Sequence, residues 1–427
     1  MTLKNSIPYL IMFSIFTLAF EKSLFIRDFN ISHMIVIFIT FCFFPYIINF
    51  ILLNKAYLVF IGYIFIHAII TAISADSDQV SIIIARRFFL FFCCFSVMIL
   101  MINFFSTREQ IQKLDSFITH IIIITTIFGM YQLIARQFGF PLGVLGEQKF
   151  REYGYITQCT SFFNEPRFYS SFLITLLYII LFIKSFKNQG LLLSMLVTSS
   201  LLTVSVTSYT MIFILLSAYL LLPVFQTKES ETEVTKDRFS NFFRVLLIVI
   251  MMFSLFQTHK IVTKRFRTGF SEGSGVKESL YLALTQNPSH LYYHDLNRGS
   301  IYVSTFSELG FFVKTLRECP LFGYGIGYDN YELERTMALN AFTEITVRWG
   351  LVGLFLFVYL FLWKSSKDIK AGRIVFVIFL ILFCCGDGAI AKALFWFLIA
   401  LLFIYKNYYL TDYHLKIEQA DEMIDGT

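Results

Sequence analysis

Apolar residues occur along this chain in long unbroken blocks rather than in the spaced pattern of a half-buried soluble helix or strand. The blocks fall at 7–26, 31–53, 57–74, 81–105, 116–137, 167–184, 190–206, 208–225, 243–258, 347–363, 372–385 and 391–405. A helix needs about 20 apolar residues to cross the hydrocarbon of a bilayer, and most of these blocks approach that length. The pattern predicts an all-α polytopic membrane protein with about twelve transmembrane helices, forming a single integral membrane domain over 1–427. The first block follows Lys4 and shows no small-residue cleavage site before Glu21 and Lys22, so it reads as a retained helix, not a removable signal peptide. The tightest connection falls at Thr207–Ser208, where two blocks almost abut.

Composition narrows the class. Of 427 residues, 57% are hydrophobic, 53 are Phe and only 15% are charged. So few charges cannot cover the surface of a soluble multidomain enzyme, and so many aromatics exclude a disordered chain. The net charge of +6 is spread thinly, with no basic block and no aromatic-basic stripe, so nucleic acid is not an expected partner.

The basic residues serve better as markers of sidedness. With a cytoplasmic N-terminus, Lys and Arg concentrate on the inner segments, while the short outer loops hold only Lys22, Arg27 and Lys392. Both termini are then cytoplasmic. Two outer segments exceed a connector, 138–166 and 259–346, the second lying between helices 9 and 10. The larger is rich in Tyr, Phe, Leu and Gly and has amphipathic stretches near 300–317, which predict short helices across the outer mouth of the bundle. No fixed-period repeat and no inverted pair of Gly/Pro-broken helices is visible, which weighs against a secondary transporter.

Candidate chemistry gathers in the outer segments. Ser161-Phe-Phe-Asn-Glu-Pro-Arg leads from 138–166 into a helix, with Pro166 at a first-turn position. It brings Glu165 and Arg167 to the membrane surface beside Arg151 and Glu152, where charges are costly. Cys319-Pro-Leu-Phe-Gly-Tyr-Gly-Ile-Gly lacks the strand and the Lys-Ser/Thr of a nucleotide loop. Its glycines predict instead a tight re-entry of the chain towards the bilayer, while Gly350 and Gly353 allow close helix approach. Cys159 and Cys319 are either a disulfide between the two outer segments or free thiols. His290 and His294 have a helical i,i+4 spacing, but no third ligand accompanies them, so solvated histidines are favoured over zinc ligands. Arg86 and Arg87, early in an apolar run, mark a helix that starts lower, snorkel to the interface, or pair with carboxylates.

The Asn164-Glu165-Pro166-Arg167 turn, the Pro320–Gly327 segment and the Asn340…Glu344…Gly350-Leu-Val-Gly353 helix start resemble the bacterial O-antigen and capsule polysaccharide polymerases and, more distantly, the O-antigen ligases. The layout resembles theirs over the whole chain, the motifs over about a tenth of it. In ligases and many relatives a His-Asn pair precedes the Gly-x-x-Gly helix; here the pair is Leu339-Asn340, which favours polymerase over ligase. The resemblance implies an inner-membrane glycosyltransferase that joins polyprenyl-pyrophosphate-linked oligosaccharide units on the periplasmic face. A chain-length regulator protein and membrane lipid are its implied partners. Such chemistry must stabilise a leaving diphosphate, and without a metal-ligand cluster or cofactor the forked donors of arginine suit that task. Arg167 and Arg298 are the expected diphosphate contacts, with Arg265 or Arg267 beside them. Glu165, then Glu344, is the candidate general base. Arg151, Asn340 and Tyr324 complete the expected substrate site. The competing readings are a ligase, a lipid-linked oligosaccharide flippase or other transporter, and a non-enzymatic scaffold.

Overall fold

The computed structural model describes residues 31–75, 77–141, 166–183, 188–203, 315–327, 341–364 and 394–406, with shorter stretches at 152–153, 156–157 and 159–161, parts of 208–219 and 379–384, and isolated residues, Phe163 and Phe186 among them. The described chain is helical apart from one small hairpin. Helix α1 (Ile31–Cys42) is followed by α2 (Phe44–Leu53), α3 (Lys55–Ile73), α4 (Asp78–Phe104) and α5 (Arg108–Phe138). Strands β1 (Glu152–Tyr153) and β2 (Ile156–Thr157) pair antiparallel, with Tyr153 opposite Ile156. Then come α6 (Pro166–Tyr178), continued by a π turn over Ile179–Ile183, and α7 (Gln189–Leu202). Helix α8 (Ala341–Phe357) likewise ends in a π segment, Val358–Lys364, and α9 spans Leu394–Lys406.

Local sequence sets these boundaries. The Ser77 hydroxyl accepts the Val80 N–H and starts α4 earlier than its apolar run. A reciprocal capping box between Thr107 and Gln110 starts α5 at Arg108, and Gly139, left-handed at φ 71°, ends it. The run at 31–53 was expected as one span but is two helices bent by 73°. Pro45 explains the bend: it has no N–H to donate, and its ring excludes the carbonyl four residues back.

Among the described residues, four helices are long and apolar enough to cross a membrane, α3, α4, α5 and α8, or five spans when the bent α1–α2 pair counts as one. Their exposed residues fall on stripes. Val59, Ile66, Ile70 and Ile73 line one face of α3, Ile73 being 80% exposed, and Ile127, Tyr131, Ile134 and Phe138 line one face of α5. Such stripes of exposed aliphatic and aromatic side chains suit lipid and would be untenable in water. The architecture is that of an α-helical membrane protein. The expected spans at 7–26 and 243–258 lie outside the described residues, and those at 208–225 and 372–385 are described only in part.

Two groups of helices make the bundle. In one, α4 packs on α1, α2 and α3, and α8 lies against α3; in the other, α7 packs on α5 and α6. Helix α9 joins them. Trp396 stands edge-on to Phe95 at 4.9 Å and contacts Phe361 at 5.5 Å on the first group. At its other end the Tyr405 hydroxyl donates to Asp115 of α5 at 2.7 Å.

Candidate functional site

Among the described residues, the most unusual backbone is inside α8. Gly350 breaks the helix at φ 64°, ψ −166°, a conformation that is essentially glycine-only. A break in a buried helix leaves carbonyls and N–H groups that must find partners. Here neighbouring segments supply five such partners. The Val347 carbonyl accepts from Tyr324 N–H at 2.8 Å and the Arg348 carbonyl from Gly325 N–H at 2.9 Å. The Trp349 carbonyl accepts the Tyr63 hydroxyl of α3 at 2.6 Å. Beyond the break, Leu351 N–H donates to the Pro320 carbonyl at 2.9 Å and Val352 N–H to the Leu321 carbonyl at 3.2 Å.

The glycine segment 319–327 therefore re-enters the bundle, as its sequence predicts, and its glycines are there because of contact rather than turn chemistry alone. A Cβ on Gly323 would lie 2.6 Å from the Val347 carbonyl, one on Gly325 would collide with Thr71 of α3, and one on Gly327 would press on Ile84 of α4. His67, one turn before Thr71, hydrogen-bonds the Phe322 backbone. Of the stretch near 300–317, where short helices are expected, 300–311 lies outside the described residues, and a helical turn is described at 315–318.

Just before the break, Glu344 and Arg348 form an ion pair one helical turn apart, both buried. A charged pair in this setting survives only through mutual neutralisation and further hydrogen bonds. The candidate base Glu344 thus engages the guanidinium of Arg348, which is not among the arginines expected at the substrate site. Tyr324 sits in the re-entrant segment, its hydroxyl donating to the exposed Glu318 carboxylate.

The second candidate region is the approach to α6. Ser161 is left-handed at φ 48°, a strained state for a residue with a Cβ, and buried contacts hold it there. Its hydroxyl donates to the Thr125 carbonyl at 2.8 Å, and its carbonyl accepts the Gln132 side-chain amide at 2.8 Å. Phe163 then stacks on Tyr169 at 5.5 Å, and the Tyr169 hydroxyl also reaches the Thr125 carbonyl. Cys159 N–H donates to the Leu202 carbonyl of α7 at 3.1 Å. Burial pushes the Cys159 thiol up to about 12. Cys159 and Cys319 are both free thiols.

These contacts fix the described chain just ahead of α6. Arg167 is the second residue of α6; its side chain lies outside the described residues, as do all of Asn164, Glu165, Arg151, Arg265, Arg267, Arg298 and Asn340. His290 and His294 also fall outside them. The structure therefore places Tyr324 and Glu344 at the α8 break.

Sequence reasoning passed over a buried hydroxyl cluster between α5, α6 and α7. Ser199 donates to Thr126 at 3.0 Å, and Ser208 meets both Ser170 and Thr203. Its signal was present as three doublets in apolar helices, Thr125-Thr126, Ser170-Ser171 and Ser199-Ser200. Small hydroxyl residues at such positions let helices approach and hydrogen-bond across the interface.

No family model, curated protein or solved structure matches the chain.

Proposed function

We propose that this chain is a glycosyltransferase of the inner membrane that polymerises polyprenyl-pyrophosphate-linked oligosaccharide units into O-antigen or capsular polysaccharide on the periplasmic face. In this reading twelve helices span the membrane with both termini in the cytoplasm. The growing chain on its carrier is donor, and a hydroxyl of the next lipid-linked unit is acceptor. The acceptor oxygen bonds to the anomeric carbon as the anomeric carbon–phosphate oxygen bond breaks, with inversion. The hydroxyl proton passes to a carboxylate, Glu165 first and Glu344 second, and the diphosphate leaves on its carrier against Arg167 and Arg298, with Arg265 or Arg267 beside them.

The observation that carries this reading is the broken α8. Irregular polar backbone inside a membrane helix persists only where protein buries it or where it lines a cavity, and it is characteristic of a working site. Here it lies beside a buried ion pair that includes the candidate base Glu344, and against the segment that carries the candidate substrate residue Tyr324. The rigid stem before Glu165 and Arg167 adds a second fixed element of the kind transfer geometry needs.

A transporter or flippase is the second reading, favoured by the same break together with the 73° bend between α1 and α2, since discontinuous helices also build transport sites. Deleting the gene separates the readings. A polymerase loss leaves surface polysaccharide capped with a single repeat unit, a flippase or ligase loss removes even that unit, and a normal polymer ladder in the deletion strain would overturn the proposal.

A further inference from the structure

The re-entrant segment has two unlike flanks. Its tip, Leu321 and Phe322, is more than half exposed, and the Phe322 backbone is held by His67, which α3 flanks with the exposed Ile66 and Ile70. The tip therefore belongs to the lipid-facing surface. The other flank is polar. Glu318, the last residue of the helical turn, is exposed and accepts the Tyr324 hydroxyl. The bend that brings these two together is closed by Gly323 N–H on the Cys319 carbonyl at 2.9 Å, and Tyr324 is anchored through its own N–H to Val347 of α8. Both side chains are thus tied to the helix break. His67 is six residues, about 9 Å, from the Ile73 end of α3, and Gly325 lies against Thr71, closer to that end. In the proposed topology this is the outer end, the depth at which a sugar tethered to a bilayer lipid first leaves the hydrocarbon.

Two carboxylates are tied to this site, and their states differ. Glu344 is 3% exposed and neutralised by Arg348, so it is closed to an incoming sugar. Glu318 has the Tyr324 hydroxyl as its one partner among the described residues, which leaves its second oxygen open to a ligand. An ionised carboxylate accepts hydrogen bonds and donates none, so it selects a ligand rich in O–H donors, and its charge makes those bonds stronger than neutral ones. The same charge repels phosphates and other carboxylates. A neutral sugar ring with hydroxyls on adjacent carbons meets these conditions. In a polyprenyl-pyrophosphate-linked unit the diphosphate sits on the reducing-end sugar, while the hydroxyl that accepts transfer lies on a sugar away from it. The charge of Glu318 therefore suits the accepting end of the unit and not the end joined to the diphosphate.

We propose that Glu318, oriented by Tyr324, grips the accepting sugar of the lipid-linked unit through hydroxyls on adjacent carbons, and that this sugar is neutral. This rests on the polymerase reading for the identity of the glycan, while the open, oriented carboxylate beside the α8 break stands on the structure.

The test is glycan binding, separate from turnover. The purified full chain in phosphatidylcholine nanodiscs is titrated with the single repeat-unit oligosaccharide, free of lipid, released from the surface polysaccharide of its own host, and binding is read by saturation-transfer NMR. E318Q should weaken binding about tenfold, through loss of a charge-assisted hydrogen bond, and Y324F should weaken it by less. Because Glu318 is exposed, E318Q should melt at the wild-type temperature. A methyl glycoside of the accepting sugar should compete with the unit, and a methyl uronate glycoside should not. Equal binding by wild type and E318Q overturns the proposal, as does an accepting sugar that carries a carboxylate. Weaker binding by E318Q together with a lowered melting temperature also overturns it, since Glu318 would then be a structural contact. Where liposomes are supplied with the lipid-linked unit, a wild type that makes polymer while E318Q binds undiminished overturns Glu318 alone. A wild type that loses glycan binding on E318Q substitution yet makes no polymer supports the glycan contact and overturns the polymerase reading.

Discussion

Glu344 and Arg348 show how much one buried pair can decide. Each neutralises the other inside α8, one turn before the break. Removing one partner leaves a bare charge in a dry site, so R348L should cost about 3–5 kcal/mol, read as a drop in thermal stability of the detergent-solubilised protein. The double variant E344L/R348L removes both charges and should recover most of that stability. If the pair also serves the reaction, the double variant stays inactive despite its recovery; a stable and active double variant would reduce the pair to packing. The i,i+4 spacing makes this pair legible in the sequence only once both residues are known to share one helix, and they straddle the boundary between the 259–346 segment and the apolar block at 347–363. The Ser161 strain was not legible. It depends on Gln132 and Thr125, far back in the chain, closing around one turn.

At the scale of single elements, apolar block length located the described helices well, because burial in hydrocarbon imposes length more strictly than it imposes sequence. What the blocks could not reveal is where a helix stops being helical. Pro45 in the 31–53 run did carry the signal for a bend. Gly350 did not, because its break exists only with the 319–327 segment there to receive the freed carbonyls and N–H groups. Substitution tests that dependence. G350A would place a Cβ against the Leu321 carbonyl and force a non-glycine residue into a glycine-only conformation, at a cost of about 3 kcal/mol or more. Expected is a less stable protein whose 319–327 amides exchange faster with deuterium. Unchanged protection there would mean that the segment docks without the break.

For the whole molecule, the described helices form one bundle in which α9 bridges two groups, and sidedness is the property that links this architecture to function. Cys319 is half-exposed, whereas Cys159 is buried with its thiol pushed up to about 12 and so stays protonated and unreactive at about pH 8. A membrane-impermeant maleimide applied to intact cells whose outer membrane has been permeabilised should therefore label Cys319 and spare Cys159. Labelling of Cys319 only after the inner membrane is opened would invert the proposed topology.

The most direct test of the polymerase reading is reconstitution. The purified chain in liposomes, supplied with a polyprenyl-pyrophosphate-linked repeat unit from its own host and no other protein, should convert it into a ladder of lipid-linked oligomers, and R167A should abolish the ladder while the protein stays folded. A wild-type chain that leaves the unit unextended, or that only moves it between leaflets, would contradict the account.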